Sequence, residues 1–267
     1  MKVNYTIKEI KTLLEETSVL SDELFDLFSR DERKGVQKLL AQYERRQQKQ
    51  MALEVAFQER LAIERELYQQ SQQDKYYIAG IDEVGRGPLA GPIVAAVVIL
   101  PENPVSLIGV NDSKQLSDKK RREFAERIQA EALAYSIAEV SSQQIDEMNI
   151  YRATQLAMET ALTKLSLQPN HVLIDAMTIQ TSIQQSSLIK GDQRSLSIAA
   201  ASILAKVYRD DLMKAYSLTY PEFGFEANAG YGTKQHLEAL RRFGYTPIHR
   251  RSFEPVASMT KQYQAAP

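Results

Sequence analysis

The distribution of proline and glycine constrains the fold of this 267-residue chain more than any other feature of its sequence. All nine prolines lie at Pro88 or beyond, and ten of the eleven glycines lie at Gly80 or beyond, with Gly35 as the exception. Because proline and glycine interrupt regular helices, the first part of the chain can form long helices, whereas the second part must contain many turns. The sequence therefore predicts an N-terminal extension over residues 1–73 and a second domain over residues 74–267.

The extension has a helical composition, rich in Leu, Glu, Lys, Arg and Gln. Thr6 with Glu9, and Ser29 with Glu32, match the pattern of a helix capping box. Apolar residues at three- and four-residue steps continue beyond the second pattern. We therefore expect an all-helical extension, with a short first helix and a long helix over about residues 29–68.

The formal charge of the chain is nearly balanced, with 33 Lys and Arg against 34 Asp and Glu. The extension is balanced as well, with 12 against 13, and residues 206–251 carry a modest basic excess of eight against five. Net charge therefore neither indicates nor excludes a nucleic-acid partner, and an anionic partner requires a local basic patch. Arg45, Arg46 and Lys49 of the extension either contact phosphate or lie on a solvated helix face, and both interpretations remain open.

Several kinds of site and location are excluded or disfavoured by what the sequence lacks. It contains no cysteine, which excludes disulfides, thiolate metal sites and cysteine nucleophiles. Its three histidines (His171, His236 and His249) do not have the spacing of a zinc motif. No apolar run approaches the roughly 18 to 20 residues of a membrane helix, and the start, MKVNYTIKEI, lacks the apolar core of a signal peptide. We expect a monomeric, cytoplasmic protein without a membrane partner.

Beyond residue 74 the apolar pattern alternates between strands and helices. Short apolar runs predict strands at residues 76–81, 93–100, 134–140 and 171–175, and longer amphipathic stretches predict helices at 117–133, 151–165, 195–216 and 233–243. This alternation is typical of an α/β fold with a mixed β-sheet flanked by helices. The short connection between the first two strands predicts that they pair antiparallel.

Four acidic residues stand at or beside the edges of these elements. Asp82 and Glu83 follow the first predicted strand, Asp175 ends the fourth, and Asp192 precedes the helix at 195–216. Open α/β sheets place their functional sites at such edges. Because neighbouring residues of a strand point to opposite faces, we expect Gly85 to break the pleat and so bring Asp82 and Glu83 into one site.

Four converging carboxylates need a cation, or protons, because two of them about 4 Å apart repel by roughly 4 kcal/mol at an effective dielectric near 20. A set of oxygen ligands favours Mg²⁺ or Mn²⁺ over zinc. Divalent ions held by carboxylates beside a phosphate are the arrangement for phosphodiester hydrolysis. The residues themselves therefore indicate metal-dependent phosphoryl chemistry.

Two other classes of function compete with this interpretation. Gly85, Gly87 and Ala90 fit the G-x-G-x-x-A fingerprint of dinucleotide-binding enzymes. That motif must open a helix, whereas the strand-like run IVAAVVIL follows here, so a nicotinamide-dependent oxidoreductase is disfavoured. A non-enzymatic nucleic-acid-binding scaffold, in which the acids are structural, remains an alternative.

Six segments of the second domain form an ordered set of motifs: YYIAGIDEVGRGPLAGPIVAAVVIL, VNDSKQLS, VLIDAM, KGDQRSLSIAAASILAKVYRD, NAGYGTKQH and HRRSF. Together they extend over about residues 74–253 and resemble ribonuclease HII. The resemblance implies a ribonuclease H-like fold, two Mg²⁺ or Mn²⁺ ions in the substrate complex, and endonucleolytic hydrolysis of RNA in RNA–DNA hybrids. It also implies cleavage 5′ of a single ribonucleotide in duplex DNA, leaving 3′-hydroxyl and 5′-phosphate ends, in ribonucleotide removal and RNA primer processing.

The same resemblance assigns roles to individual residues. The catalytic and metal-binding acids would be Asp82, Glu83, Asp175 and Asp192. Gly85, Arg86 and Gly87 resemble the family's G-R-G tip, which reads the ribose 2′-hydroxyl through its backbone and separates this chain from ribonuclease HIII. Tyr231 resembles the tyrosine that stacks on the sugar at the RNA–DNA junction. Lys114 and Lys206 are candidate phosphate contacts, with an ordinary surface role as the equal alternative.

Overall fold

The computed structural model describes residues 5–17, 19–111 and 113–264. Its helices before the first strand are α1 (Ile7–Glu16), α2 (Asp22–Ser29), α3 (Lys34–Arg60) and α4 (Ala62–Gln70). There follow β1 (Ile78–Val84), β2 (Ile93–Ile99), α5 (Asp118–Glu131), β3 (Ala134–Val140), α6 (Ser142–Met148), α7 (Ile150–Thr163), β4 (His171–Asp175), β5 (Gln184–Leu188), α8 (Gly191–Arg194), α9 (Leu196–Thr219), α10 (Phe225–Asn228), α11 (Lys234–Phe243) and α12 (Val256–Gln264). Asp112 of the VNDSKQLS motif lies outside the described residues.

The first of two compact units ends at Ala56 and is helical, as predicted for its described residues. Its core contains Ile10, Leu14, Leu20, Phe28, Val36, Leu40 and Tyr43. The capping box at the start of α1 is confirmed, because the Glu9 N–H donates to Thr6 Oγ1 and the Thr6 N–H donates to Glu9 Oε2. The second predicted capping box is wrong. Ser29 ends α2 instead, and its hydroxyl donates to the carbonyl of Phe25 at 2.8 Å.

The long helix predicted over residues 29–68 is split into α3 and α4. The residue between them, Leu61, is buried together with Phe57 against strand and helix residues of the second unit, which begins at Phe57. The end of α3 and all of α4 therefore belong to that second compact unit. The domain boundary after residue 73 rests on composition and stays a prediction.

The second unit is built on a five-stranded sheet with the strand order β3-β2-β1-β4-β5. β1 pairs antiparallel with β2, as predicted, and parallel with β4, so the mixed sheet is confirmed. β5 lies outside the predicted strands, because its sequence QQSSL is polar and only partly buried and carries no apolar alternation. It forms one edge of the sheet, where polar residues are tolerated.

Helices cover both faces of this sheet. α7 packs on one face, where Ala79 and Ile81 of β1 are buried, and α5 and α9 pack on the other face. Gly80 of β1 allows α9 to approach closely, since a Cβ built there would lie 2.1 Å from the carbonyl carbon of Ser197. None of the described helices is both long and apolar enough to cross a membrane.

Glu64 of α4 lies at the beginning of α9 and is buried. Its Oε1 accepts hydrogen bonds from the hydroxyls of Ser195 (2.6 Å) and Ser197 (2.8 Å) and from the N–H of Ser197 (3.1 Å). Negative charge is favourable at a helix N-terminus, but burial still raises the pKa of Glu64 above its ordinary value, because burial penalises the charged form. α4 therefore helps to fix the chain just after Asp192.

Candidate active site

β1 and β4 place two of the four predicted acids side by side. The strands are parallel neighbours with Ile81 opposite Ile174, so Asp82 and Asp175 come next at the same edge of the sheet. β1 continues through Val84, and the break in the pleat expected at Gly85 therefore comes after both acids. The expectation that Asp82 and Glu83 lie beyond the strand is wrong.

A hydrogen bond connects Asp175 to the segment that carries Asp192. The N–H of Gly191 donates to Asp175 Oδ1 at 2.7 Å, and Asp192 follows as a buried acid in α8. A Cβ at Gly191 would lie 2.7 Å from Ile198 Cδ1 and 3.3 Å from Asp175 Oδ1. Glycine at this position thus lets the chain run close to Asp175, and Asp192 is the next residue after this contact.

Asp82, Glu83 and Asp175 influence one another electrostatically. Burial raises the pKa of Asp82 well above its usual range, and the charges of Glu83 and Asp175 raise it further, while a hydrogen bond from Ser202 lowers it. Burial also raises the pKa of Glu83, which the charge of Arg86 lowers and the charge of Asp175 raises. Carboxylates in this situation carry their charges at a cost unless a cation compensates them.

Asp82, Glu83, Asp175 and Asp192 are called the acidic cluster below. Its donors are all carboxylate oxygens, which Mg²⁺ and Mn²⁺ prefer. The pKa values of Asp82 and Glu83 are raised mainly by burial and further by neighbouring carboxylates, and a bound cation would offset both effects. In donor chemistry and electrostatics the cluster therefore fits a divalent ion. Within the described part of the chain, however, no three His, Cys, Asp or Glu side chains form a group that could hold a metal ion as they stand.

Gly85, Arg86 and Gly87, called the tip below, lie next to the acidic cluster. Arg86 Nη1 is 3.6 Å from Glu83 Oε1. Tyr231 approaches the tip from another part of the chain, because a Cβ built on Gly87 would lie 3.5 Å from Tyr231 Cε1. The tyrosine side chain is about half exposed. The structure therefore brings the predicted tip, the predicted tyrosine and Glu83 into one neighbourhood.

Two buried histidines support the turn that carries Tyr231. His236 Nδ1 lies 2.9 Å from the carbonyl oxygen of Tyr231, and His236 Nε2 lies 2.9 Å from His249 Nε2. His249 Nδ1 accepts a hydrogen bond from the N–H of Thr246 at 2.9 Å. Burial lowers the pKa of both imidazoles, that of His249 to about 3 with a contribution from His236. Both rings are therefore neutral at physiological pH.

The two predicted phosphate contacts are placed differently. Lys114 is exposed, and its charge lowers the pKa of Glu83, which places it near the acidic cluster. Lys206 lies on α9, and its Nζ is 2.6 Å from Asp210 Oδ1. Lys206 is therefore engaged within its own helix, whereas Lys114 lies toward the cluster. Phosphate contact by either lysine stays a prediction.

Sequence reasoning missed two polar residues that organise this region from α9. Ser202 hydrogen-bonds to Asp82, and its Oγ lies 3.0 Å from Ser113 Oγ. Arg209 is fully buried and donates to the main-chain carbonyls of Ala90, Pro92 and Ala229. Ser202 and Arg209 are seven residues apart and thus on one face of the helix. Polar residues at helical spacing inside the apolar stretch SIAAASILAKVYRD were the available signal.

The chain is similar to several known proteins. A family model described as ribonuclease HII matches residues 79–256, and a second model, the ribonuclease HII N-terminal domain, matches residues 6–68. The chain belongs to the ribonuclease HII family. Ribonuclease HII of Lactobacillus gasseri is 52% identical over 256 residues (96% of this chain, 100% of the relative), and that of Bacillus cytotoxicus is 50% identical over 257 residues (96% and 98%). The crystal structure of ribonuclease H2 from Pyrococcus horikoshii OT3 matches with a TM-score of 0.62 at 27% identity, over 71% of this chain and 100% of that chain.

Membership in the ribonuclease HII family defines the class of enzyme. The protein is a nuclease that hydrolyses RNA in RNA–DNA hybrids, and the family depends on divalent metal ions. Its second unit has the ribonuclease H-like fold predicted from the motifs. The rejected dinucleotide fingerprint has no place in this family, and the glycine-rich turn indeed leads into the strand β2 and not into a helix.

Proposed function

We propose that this ribonuclease HII cuts the RNA strand of RNA–DNA hybrids and also incises duplex DNA on the 5′ side of a single embedded ribonucleotide, leaving 3′-hydroxyl and 5′-phosphate ends. The observation that carries the proposal is the adjacency of the acidic cluster, the tip and Tyr231. The acids alone would suit phosphodiester hydrolysis in general. A glycine-bounded backbone and an aromatic ring beside them add a means of recognising one sugar.

In this proposal the acidic cluster holds two divalent ions, Mg²⁺ or Mn²⁺, in the substrate complex. Bound ions of this kind activate the attacking water and stabilise the charge on the leaving oxygen. Asp82 would help to position the water, Asp175 and Asp192 would complete the set of ligands, and Glu83 would act next to the leaving group. Ser202 and the N–H of Gly191 would keep Asp82 and Asp175 in place, since each hydrogen-bonds to one of these carboxylates.

The tip and Tyr231 would recognise the ribonucleotide. Only glycine lets a backbone approach a sugar edge without a Cβ clash, and the 2′-hydroxyl is the group that distinguishes RNA from DNA. Gly87 leaves this approach open in front of the Tyr231 ring. The exposed guanidinium of Arg86 would meet a phosphate through its planar fork, with Lys114 and Lys206 as further phosphate contacts.

The proposed cellular role is the removal of ribonucleotides from DNA and the processing of RNA primers. The protein would act in the cytoplasm as a monomer on RNA–DNA hybrids and on DNA duplexes containing ribonucleotides. Light scattering coupled to size-exclusion chromatography would test whether the protein is monomeric.

The test of the proposed activity is cleavage of a labelled duplex that carries one ribonucleotide, with Mg²⁺ and with a chelator. We expect a single cut 5′ of the ribonucleotide in Mg²⁺ only. Asp82→Asn is expected to lower the rate by more than about 10²-fold, because one metal ligand is worth several kcal/mol to the transition state, while hybrid binding is retained.

Asp26→Asn is the matched control, since it makes the same change on the exposed surface of α2. It should cleave like the parent. Equal cleavage by Asp82→Asn and the parent would refute the assignment of Asp82. Binding of the hybrid by the parent without any cleavage would instead favour the non-enzymatic scaffold.

A further inference from the structure

Arg250, in the HRRSF motif, is fully buried beneath the tip. Its Nε donates to the carbonyl of Gly91 at 3.0 Å, its Nη1 to the carbonyl of Arg86 at 2.8 Å, and its Nη2 to the carbonyls of Gly85 and Gly91. All four hydrogen bonds thus end on main-chain oxygens of the loop between β1 and β2. Burial lowers the pKa of Arg250 to about 9, and the neighbouring charge of Arg209 contributes. This position is electrostatically unfavourable for a guanidinium and needs an explanation.

The contacts of Arg250 determine which way two peptide groups of the tip face. In a planar trans peptide the C=O and the following N–H point in opposite directions. The carbonyls of Gly85 and Arg86 point inward, onto the buried guanidinium. The N–H groups of Arg86 and Gly87 therefore point outward, and both residues are exposed.

We infer that Arg250 is a positioning residue for sugar recognition: by holding the carbonyls of Gly85 and Arg86, it presents the N–H groups of Arg86 and Gly87 as two adjacent donors to the ribose 2′-hydroxyl. This inference rests on the proposed function and assigns part of its specificity to a residue 165 positions away from Gly85 in the sequence. A lysine at this position has all three of its N–H donors on one nitrogen and no planar fork, so it cannot hold both carbonyls in the same way.

Arg209 provides an internal comparison. It is also fully buried, and its guanidinium also donates only to carbonyls of the same region, those of Pro92 (3.0 Å), Ala90 (3.1 Å) and Ala229 (2.9 Å). None of these carbonyls belongs to the peptide groups that carry the N–H of Arg86 or Gly87. Arg209 therefore shares the burial and the chemistry of Arg250, and it also packs against Gly85, where a Cβ would lie 2.3 Å from Arg209 Nε. It differs from Arg250 in donating to neither of the carbonyls that orient the tip donors.

The experiment measures the preference for a single ribonucleotide in binding. Two fluorescent duplexes, identical except that one carries a ribonucleotide at one position, are titrated in Mg²⁺ with Asp82→Asn protein, which serves as the non-cleaving background. Arg250→Lys and Arg209→Lys are each added to this background. The ratio of the two dissociation constants is the readout, because general loosening or partial unfolding weakens both complexes alike.

We expect the background to prefer the ribonucleotide duplex by about fivefold to tenfold, the effect of one or two hydrogen bonds. Arg250→Lys should reduce this preference to below about twofold, while Arg209→Lys should leave it within about twofold of the background. An unchanged preference in folded Arg250→Lys would overturn the inference, and so would an equal loss in both lysine variants. A background without any preference would overturn the inference as well.

Failure of the proposed function itself is seen separately, as absence of cleavage by the parent protein. If Arg250→Lys does not fold, Phe253→Leu takes its place. The guanidinium carbon of Arg250 lies 5.0 Å from the centroid of the Phe253 ring. Replacing this ring by leucine is expected to loosen Arg250 while keeping its N–H donors. A drop in preference of about twofold is then expected, and no drop would count against the inference.

Discussion

Gly80→Ala tests whether the contact between β1 and α9 is as tight as the structure shows. The new Cβ would lie 2.1 Å from the carbonyl carbon of Ser197, 2.2 Å from the nitrogen of Ile198 and 2.4 Å from the carbonyl oxygen of Ser197. All three atoms are main chain, so no side-chain rotation can relieve the clash. To restore van der Waals contact, α9 must move away from β1 by about 1 Å or more.

The expected cost is about 3 kcal/mol, at the upper end of what overpacking of a core produces. For a domain of this size that corresponds to a fall in melting temperature of about 6–12 °C. Activity should fall as well, because β1 carries Asp82 and α9 carries Ser202, which hydrogen-bonds to it. The chain has no tryptophan, and eleven of its thirteen tyrosines lie beyond residue 56. Tyrosine fluorescence during urea unfolding therefore reports mainly on the second unit.

Gly35→Ala is the matched control. A Cβ at this position in α3 would lie 3.1 Å from Cδ1 of Ile7, the flexible end of a side chain, and alanine is favoured over glycine in a helix by about 0.5–1 kcal/mol. Gly35 lies in the first unit, so the unfolding reported by tyrosine fluorescence, which comes mainly from the second unit, should stay within about 1 kcal/mol of the parent. A Gly80→Ala protein with the stability of the parent would refute the packing described for β1 and α9.

Two further predictions concern Glu64 and the first unit. Burial raises the pKa of Glu64 from 4.5 in the folded state, so folding stability falls as the pH rises through that pKa. Glu64→Gln should therefore gain melting temperature relative to the parent as the pH rises above about 4.5, and parallel curves would contradict this. Residues 1–56 hold ten Lys and Arg against ten Asp and Glu. Their removal should change the slope of log binding constant against log salt concentration by less than about 0.9, the contribution of one phosphate contact. A fall of about two contacts or more would show that residues such as Arg45 and Lys49 bind phosphate.

The strands of the sheet could be predicted where their burial requires a recognisable pattern of apolar residues. β3 and β4 have the predicted bounds. β4 is an almost fully buried apolar run, and β3 alternates between buried and more exposed residues, and both patterns are visible in the sequence. β5 could not be recognised, since an edge strand with polar side chains has no such requirement. The break at Leu61 was also hidden, because no proline or glycine marks it and its cause is packing against residues distant in the chain.

The acidic residues of the candidate site stand out because a charged residue beside a buried strand is conspicuous in the sequence, and their roles stay predictions. Their order in space follows from the parallel pairing of β1 and β4. The residues that hold the site together could not be found in the same way. Arg250 donates to the carbonyl of Gly85, which lies 165 positions earlier in the sequence. No local sequence pattern at either residue indicates that the two are in contact.

The hydrogen bonds around His236 and His249 admit only one distribution of protons. The Tyr231 carbonyl can only accept, so His236 Nδ1 carries a hydrogen, and the Thr246 N–H can only donate, so His249 Nδ1 carries none. With both rings neutral, His249 Nε2 donates to His236 Nε2, and the three links run in one direction from Thr246 to Tyr231. Acid would have to add a proton against a pKa of about 3 at His249 to reverse a link. The tautomers of both histidines therefore stay the same around neutral pH, and so does the hydrogen bond that His236 donates to the carbonyl of Tyr231.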